Sequence, residues 1–271
     1  MPTIVKIASR DNEYLKEARR VRDGKQRDKI FIEGVRLIEE AVLSGVTIDR
    51  LFVSDSASER SGSLVNEGGT RETFQLTDAA FRSIADTVTS QGVVALAERP
   101  AGGRNAIEER LATSSMPLVA FLYETNNPSN LGAVIRTAEA AGAAGVIVST
   151  GSADAFSPKA LRAAMGSSFR SPVWTDVNLG EAIEWAADND LQTIATTPTA
   201  TTVHTDVDWT RRSMILFGSE AHGLPESELR SVDDQILISM DRSVESLNLA
   251  VACGVILFEA RRQKGADQRS G

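Results

Sequence analysis

Three polar clusters, each placed directly after an apolar run, hold the residues of this chain whose types and spacing could do chemistry. The last follows residues 236–240 and reads Ser246-Leu247-Asn248, at the mouth of an almost wholly apolar stretch reaching Leu257. Apolar residues on all sides predict a helix over 246–262 that is buried rather than laid amphipathically on a surface. Such a helix needs one polar N-cap, which Ser243 or Ser246 supplies, so Asn248 reads as surplus to structure. Backbone amides and spare side chains at a helix N-terminus can make a ligand site. The middle cluster, Gly218-Ser219-Glu220-Ala221-His222-Gly223-Leu224-Pro225, follows the strand-like run 214–217. The first spans 126–142 and follows the strand-like run 118–123. Within it Asn127-Pro128 fits an N-cap with proline at the first helical position, and Gly142 fits the closing glycine. Asn130 and Arg136 are left without a structural task. Ligands of a parallel α/β sheet collect beyond the carboxyl ends of its strands, so the three clusters predict one pocket.

Together and in this order, the clusters resemble the three motifs of the SpoU (TrmH-like) RNA ribose 2′-O-methyltransferases, in the SPOUT superfamily. The match rests on Asn130 with Arg136 and Thr137-Ala138, on Phe217-Gly218-Ser219-Glu220 with Gly223-Leu224, and on Ser246-Leu247-Asn248. The resemblance implies a C-terminal domain carrying a trefoil knot, whose loops hold S-adenosylmethionine against Thr196, Leu216, Gly218, Ile238, Met240 and Leu247. It places Arg136 at the reacting ribose, with Asn130 orienting it and Glu220, Ser246 and Asn248 shaping the site. A fixed guanidinium stabilises a developing alkoxide without changing its own protonation, so Arg136 is expected to act electrostatically rather than as a base. A homodimer is implied as well, its interface including the last helix, with a substrate-contacting arginine lent across to the partner's pocket. His222 falls in the variable interior of its motif and is given no role, and Cys253 reads as buried and inert.

The elements that must position these residues are those of an α/β protein. Runs rich in Val, Ile and Leu at 118–123, 145–148, 191–195, 213–217 and 236–239, with helices between, predict a mainly parallel sheet in residues 113–265. Residues 1–98 alternate short strands and helices, with helical character over 12–21, 35–43 and 76–85, and form a smaller α/β module. The stretch from Ser9-Arg10-Asp11-Asn12 through Glu33-Gly34 and Leu37-Ile38 resembles the L30e-like substrate-binding domain often joined to SpoU catalytic domains. Between the two, residues 99–112 shift to Pro, Gly and charge and read as a linker, and 266–271 as a tail.

The chain has 271 residues, 42% hydrophobic and 24% charged, with a net charge of −8. That overall charge argues mildly against a nonspecific nucleic-acid binder, but its distribution is uneven. Residues 1–30 hold nine Lys or Arg against five Asp or Glu. Arg10, Arg19, Arg20, Arg22, Lys25 and Arg27 are therefore candidate RNA contacts, set against a solvated helix face laced with Glu–Arg pairs. One cysteine and two histidines leave no zinc or disulfide framework, and no metal is expected. There is no run of eighteen apolar residues and no secretory leader, which predicts a cytoplasmic protein without membrane association. The expected activity is S-adenosylmethionine-dependent methylation of a ribose 2′-hydroxyl in structured RNA, with ribosomal RNA favoured over tRNA. The rival from another class is a noncatalytic RNA-binding protein of the same fold.

Overall fold

The computed structural model describes residues 4–57, 70–241 and 246–267. The chain divides into two compact units, one made of residues 1–100 with 156–169, the other of 101–155 with 170–271.

The first unit is built on a five-stranded mixed sheet in the order β1-β4-β3-β5-β2, comprising β1 (Ile4–Ile7), β2 (Lys29–Glu33), β3 (Ile48–Ser54), β4 (Glu72–Leu76) and β5 (Val93–Glu98). β1, β4 and β3 run parallel, whereas β5 is antiparallel to both β3 and β2. Helix α1 (Glu13–Arg22) begins where the Asn12 side chain accepts from the Tyr14 N–H, and buries Leu15, Ala18 and Val21, one face of a 3.6-residue period. These meet Phe31, Phe52, Phe74 and Leu96 in a single core. Helix α2 (Val35–Leu43) and the short α3 (Asp78–Arg82) complete the covering layer, α3 being capped by Thr77 as its sequence predicts. A helix over Pro158–Ala164 returns to this unit from later in the chain and packs on β2.

The second unit holds a seven-stranded sheet ordered β10-β12-β9-β11-β6-β7-β8, parallel at every pairing. Its strands are β6 (Leu118–Leu122), β7 (Gly145–Ser149), β8 (Val173–Val177), β9 (Gln192–Thr196), β10 (Thr202–Val203), β11 (Ser213–Phe217) and β12 (Asp234–Leu237). Every residue of β6, β7 and β11 is buried, as sheets covered on both faces require. Helix α5 (Pro128–Ala141) has the expected ends: Asn127 Oδ1 accepts from the Ser129 N–H at 3.0 Å, Pro128 follows, and Gly142 turns left-handed with φ 86°. Helix α6 (Leu179–Asp188) brings Trp185 into the core, and helix α7 (Leu249–Asp267) lies along α5.

Four expectations are corrected. Residues 99–112 are not a free linker, because helix α4 (Arg104–Thr113) sinks Ile107 and Leu111, one turn apart, into the core of the second unit. β8 went unread because its middle residues Trp174, Thr175 and Asp176 are only half-buried or exposed and give no apolar run. β12 ends at Leu237, so Ile238, Ser239 and Met240 lie past the strand end rather than within it. Helix α7 starts at Leu249 instead of Ser246 and is not buried all round. Val251, Val255 and Phe258 are 52%, 37% and 48% exposed, whereas Cys253, Ile256, Leu257 and Ala260 carry its buried face.

Candidate functional site

All three polar clusters reach one cavity of about 420 Å³ in the second unit, within the size range of small-molecule sites. It opens beyond the carboxyl ends of β9, β11 and β12, where Thr196, Phe217 and Ile238 line it. Asn130, Glu220, Ser246 and Asn248 all contribute to its wall. Three of them form a chain of hydrogen bonds. Asn248 Nδ2 donates to Asn130 Oδ1 at 3.1 Å, and Asn130 Nδ2 donates to Glu220 Oε1 at 2.8 Å. Asn248 also has the structural task that its sequence context had left to Ser243 or Ser246. Its Oδ1 accepts from the N–H groups of Ala250 at 3.0 Å and Val251 at 3.4 Å, which makes it the cap of α7. Ser243 lies outside the described residues.

The middle cluster is a closed turn. Ser219 and Gly223 exchange backbone hydrogen bonds at 3.1 and 2.9 Å, and Ser219 Oγ accepts from the His222 N–H at 3.2 Å. A Cβ at Gly218 would lie 2.3 Å from the carbonyl carbon of Gly223 and 2.4 Å from the Leu224 nitrogen, so no other residue fits without reshaping the turn. The turn holds Glu220, the one charged side chain among the described lining residues, at the cavity wall beside Asn130.

Of the residues expected at the methyl donor, Thr196, Gly218, Ile238, Met240 and Leu247 line the cavity. Leu216 does not. Successive strand side chains point to opposite faces, so Phe217 faces the cavity, while the Leu216 carbonyl accepts from Thr196 Oγ1 at 3.0 Å. Thr197, Pro198 and Leu249 also line the cavity and were not anticipated. The first two could have been found, since a Thr-Thr-Pro turn directly after an apolar run is another strand end on the same side of the sheet.

Arg136 departs from the expected arrangement. Asn130 does not orient it, because both polar atoms of Asn130 are taken by Glu220 and Asn248. Six residues along a helix of 3.6 per turn also set the two side chains on different faces. Arg136 is exposed, lies outside the cavity lining, and makes no hydrogen bond or ion pair with any described residue. It neighbours Thr137, which faces Gly254 of α7 closely enough that a methyl there would come within 3.6 Å of Thr137 Cγ2.

The basic residues of the first unit divide in two. Arg10, Arg20, Lys25 and Arg27 are exposed. Arg19 and Arg22 are engaged within the unit. Arg19 donates to Ser83 Oγ at 3.2 Å and to the Arg10 carbonyl at 3.0 Å. Arg22 Nη1 reaches the carbonyls of Ser83, Ile84 and Ala85 at 3.5, 3.2 and 3.1 Å. Nearby, Lys29 lies 3.1 Å from Glu17 and 3.2 Å from Asp49, and Glu17 also pairs with Arg50. Burial pushes the Cys253 thiol up to about 12, which keeps it a thiol and a packing group. No cluster of metal-ligating side chains occurs among the described residues.

Comparisons with known proteins agree with this geometry. A family model described as the SpoU rRNA Methylase family matches residues 117–258, and one described as the MRM3-like substrate binding domain matches residues 12–95. The chain is 30% identical to the 23S rRNA (guanosine(2553)-2′-O)-methyltransferase RlmP of Bacillus subtilis, over 94% of this chain and 98% of that protein. Among solved structures, the AdoMet-bound rRNA methyltransferase from Sinorhizobium meliloti is similar with a TM-score of 0.81 at 29% identity, covering 96% of this chain and 98% of that one. The SpoU methyltransferase AviRb from Streptomyces viridochromogenes, in complex with AdoMet, is similar with a TM-score of 0.84 at 27% identity, covering 94% of this chain and 99% of that one.

Proposed function

Because the chain belongs to the SpoU rRNA methylase family, we propose that it transfers a methyl group from S-adenosylmethionine to a ribose 2′-hydroxyl of ribosomal RNA. The observation that carries this reading is the Asn248–Asn130–Glu220 chain of hydrogen bonds on the wall of the cavity. It joins the three polar clusters at the place where their chemistry is needed. The cavity fits the donor, with apolar Ile238, Met240 and Leu247 for a flat aromatic ring and Glu220 as the single charge opposite a cation. When bound, S-adenosylmethionine supplies an electrophilic methyl on a positively charged sulfur. The chain's own residues do the rest. Thr196 and the Gly218 turn shape the wall, and the hydrogen-bond chain fixes Asn130 and Glu220 before substrate arrives. Arg136 stays protonated throughout and stabilises the alkoxide that forms as the 2′-hydroxyl loses its proton.

Arg136 stands outside its own chain's cavity, and the same reading therefore includes a homodimer in which Arg136 of the partner subunit completes the site. Three features support it. Val251, Val255 and Phe258 form an exposed apolar stripe on α7, α7 lies along α5, and Arg136 is exposed beside that contact with no partner of its own. A stripe of this kind is what a subunit interface leaves uncovered in a single chain. We extend the reading to the SPOUT trefoil knot in residues 113–265, to RNA contacts by Arg10, Arg20, Lys25 and Arg27, and to the cytoplasm, where the substrate is.

The test is transfer of tritiated methyl from S-adenosylmethionine to protein-free ribosomal RNA, ribosomal subunits and tRNA, with mapping of the modified nucleotide. Wild type is expected to label ribosomal RNA, and Arg136→Ala to lose at least about a hundredfold in rate while binding the donor unchanged. Label in tRNA alone would move the substrate. No label in any RNA, despite donor binding, would establish the noncatalytic reading. Light scattering at micromolar concentration should give a dimer mass, and a monomer would sink the shared-site arrangement.

A further inference from the structure

In the first unit, the segment that follows α3 is held from three directions although it is a loop. Arg22 grips the carbonyls of Ser83, Ile84 and Ala85. The buried Glu33 carboxylate accepts from the N–H groups of Asp86 and Thr87, each at 3.0 Å, and from Thr87 Oγ1 at 2.7 Å. At the far end Gln91 Oε1 accepts from the Val35 N–H at 2.9 Å, tying the loop to the start of α2. Burying a carboxylate is unfavourable unless its bonds are made, and connecting α3 to β5 does not call for one. What these contacts present is Val88, 105% exposed at the tip between the anchors.

The surroundings of that tip are cationic. Arg82 at the end of α3 and Arg36 in the first turn of α2, next to Val35, are exposed and make no hydrogen bond or ion pair with any described residue. The loop's own carboxylate, Asp86, is neutralised by Arg162 of the same unit, in a 2.7 Å charge contact that is not aligned as a hydrogen bond. Glu39 stands one turn further along α2. A rigid aliphatic tip flanked by free guanidinium groups matches an RNA segment whose unpaired base offers a flat apolar face and whose phosphates carry the charge. The loop lies inside the residues matched by the substrate-binding domain model.

We propose that the Ser83–Gln91 loop is a prefixed RNA-docking finger, with Val88 packing against an unpaired base and Arg36 and Arg82 meeting the phosphates beside it. Arg19 and Arg22, which look like RNA ligands in the sequence, are positioning residues that hold this finger. Fixing the loop in advance removes the ordering cost from the binding step. The proposal rests on the reading that ribosomal RNA is the substrate.

The experiment measures binding of protein-free 23S ribosomal RNA by the full chain, wild type beside Val88→Ser, Arg36→Ala with Arg82→Ala, and Leu43→Ser. Leu43 is the matched control, being 83% exposed at the other end of α2. Val88→Ser is expected to weaken binding by about tenfold, as loss of one base contact does, and to raise the KM for RNA while leaving kcat and donor affinity alone. The double arginine variant should lower the salt dependence of binding by about two counter-ions. Leu43→Ser should change nothing. If wild type binds and methylates the RNA but Val88→Ser and Leu43→Ser are indistinguishable from it, the finger is wrong and the enzyme reading stands. If wild type neither binds nor methylates ribosomal RNA, both fall together.

Discussion

The arginines of α1 and the single arginine of α5 make opposite use of the same side chain. Arg19 and Arg22 sit in the densest basic stretch of the chain, yet their guanidinium groups are tied to a hydroxyl and to backbone carbonyls. Arg136 stands among alanines and is left exposed and unpaired on the surface. The charge density of a segment therefore says little about which cations are available to a substrate. Availability is decided by whether carbonyls or carboxylates lie within reach, and that depends on chain brought back from far away.

The contrast can be broken by stability and activity measured side by side. The largest effect on folding is expected from Arg22→Ala, which leaves three carbonyls of the docking loop without their donor, at about 1–3 kcal/mol in chemical denaturation. Arg20→Ala and Arg136→Ala should each change stability by less than about 0.5 kcal/mol, as surface substitutions do. If Arg136→Ala unfolds the protein as much as Arg22→Ala, the distinction between held and available arginines fails.

A smaller effect separates the two tasks of Asn248. Asn248→Ala removes the cap of α7 and should lower stability by about 1 kcal/mol, together with loss of methyl transfer. Asn248→Asp keeps an oxygen for the Ala250 N–H but has no amide to donate to Asn130. It should melt close to wild type and still transfer poorly, and full activity in this variant would remove the hydrogen-bond chain from the mechanism.

The smallest effect concerns pH. Arg262, with lesser help from the Gln263 side chain, holds the Glu259 carboxyl down to about 2 from an ordinary 4.5. A depressed carboxyl contributes stability that is present above its unfolded pKa and lost as pH falls through the folded one. Glu259→Gln should therefore lower Tm at neutral pH and flatten the fall of stability between about pH 4.5 and pH 2. An unchanged acid limb would show that this pair contributes nothing.

The features legible in the sequence were those set by local chemistry or by strand ends. Asn127, Pro128 and Gly142 bound α5 because capping needs only the residues next to it. Asn130, Glu220, Ser246 and Asn248 meet because each follows a strand whose end faces the same crevice. The partners of Arg22 were hidden, lying 61 to 63 residues further along the chain. The exposed stripe of α7 was hidden for another reason. Val251, Val255 and Phe258 have the composition of a core, and nothing in their spacing tells a core face from one awaiting a second subunit. Leu216 was misplaced by one residue, which on a strand is enough to turn a side chain to the opposite face.

The parallel sheet order has a kinetic consequence. β6 lies between β11 and β7, so a strand near residue 120 pairs with one near 215, and the Asn130–Asn248 bond closes across 118 residues. Contacts of such sequence separation form slowly, because the entropy of closing the loop precedes any reward. The methyl-donor cavity is thus among the last parts of the molecule to exist. A chain still emerging from the ribosome, with residue 248 not yet released, has a folded strand core within reach but no site, and it becomes competent to modify ribosomal RNA only once its own synthesis is nearly complete.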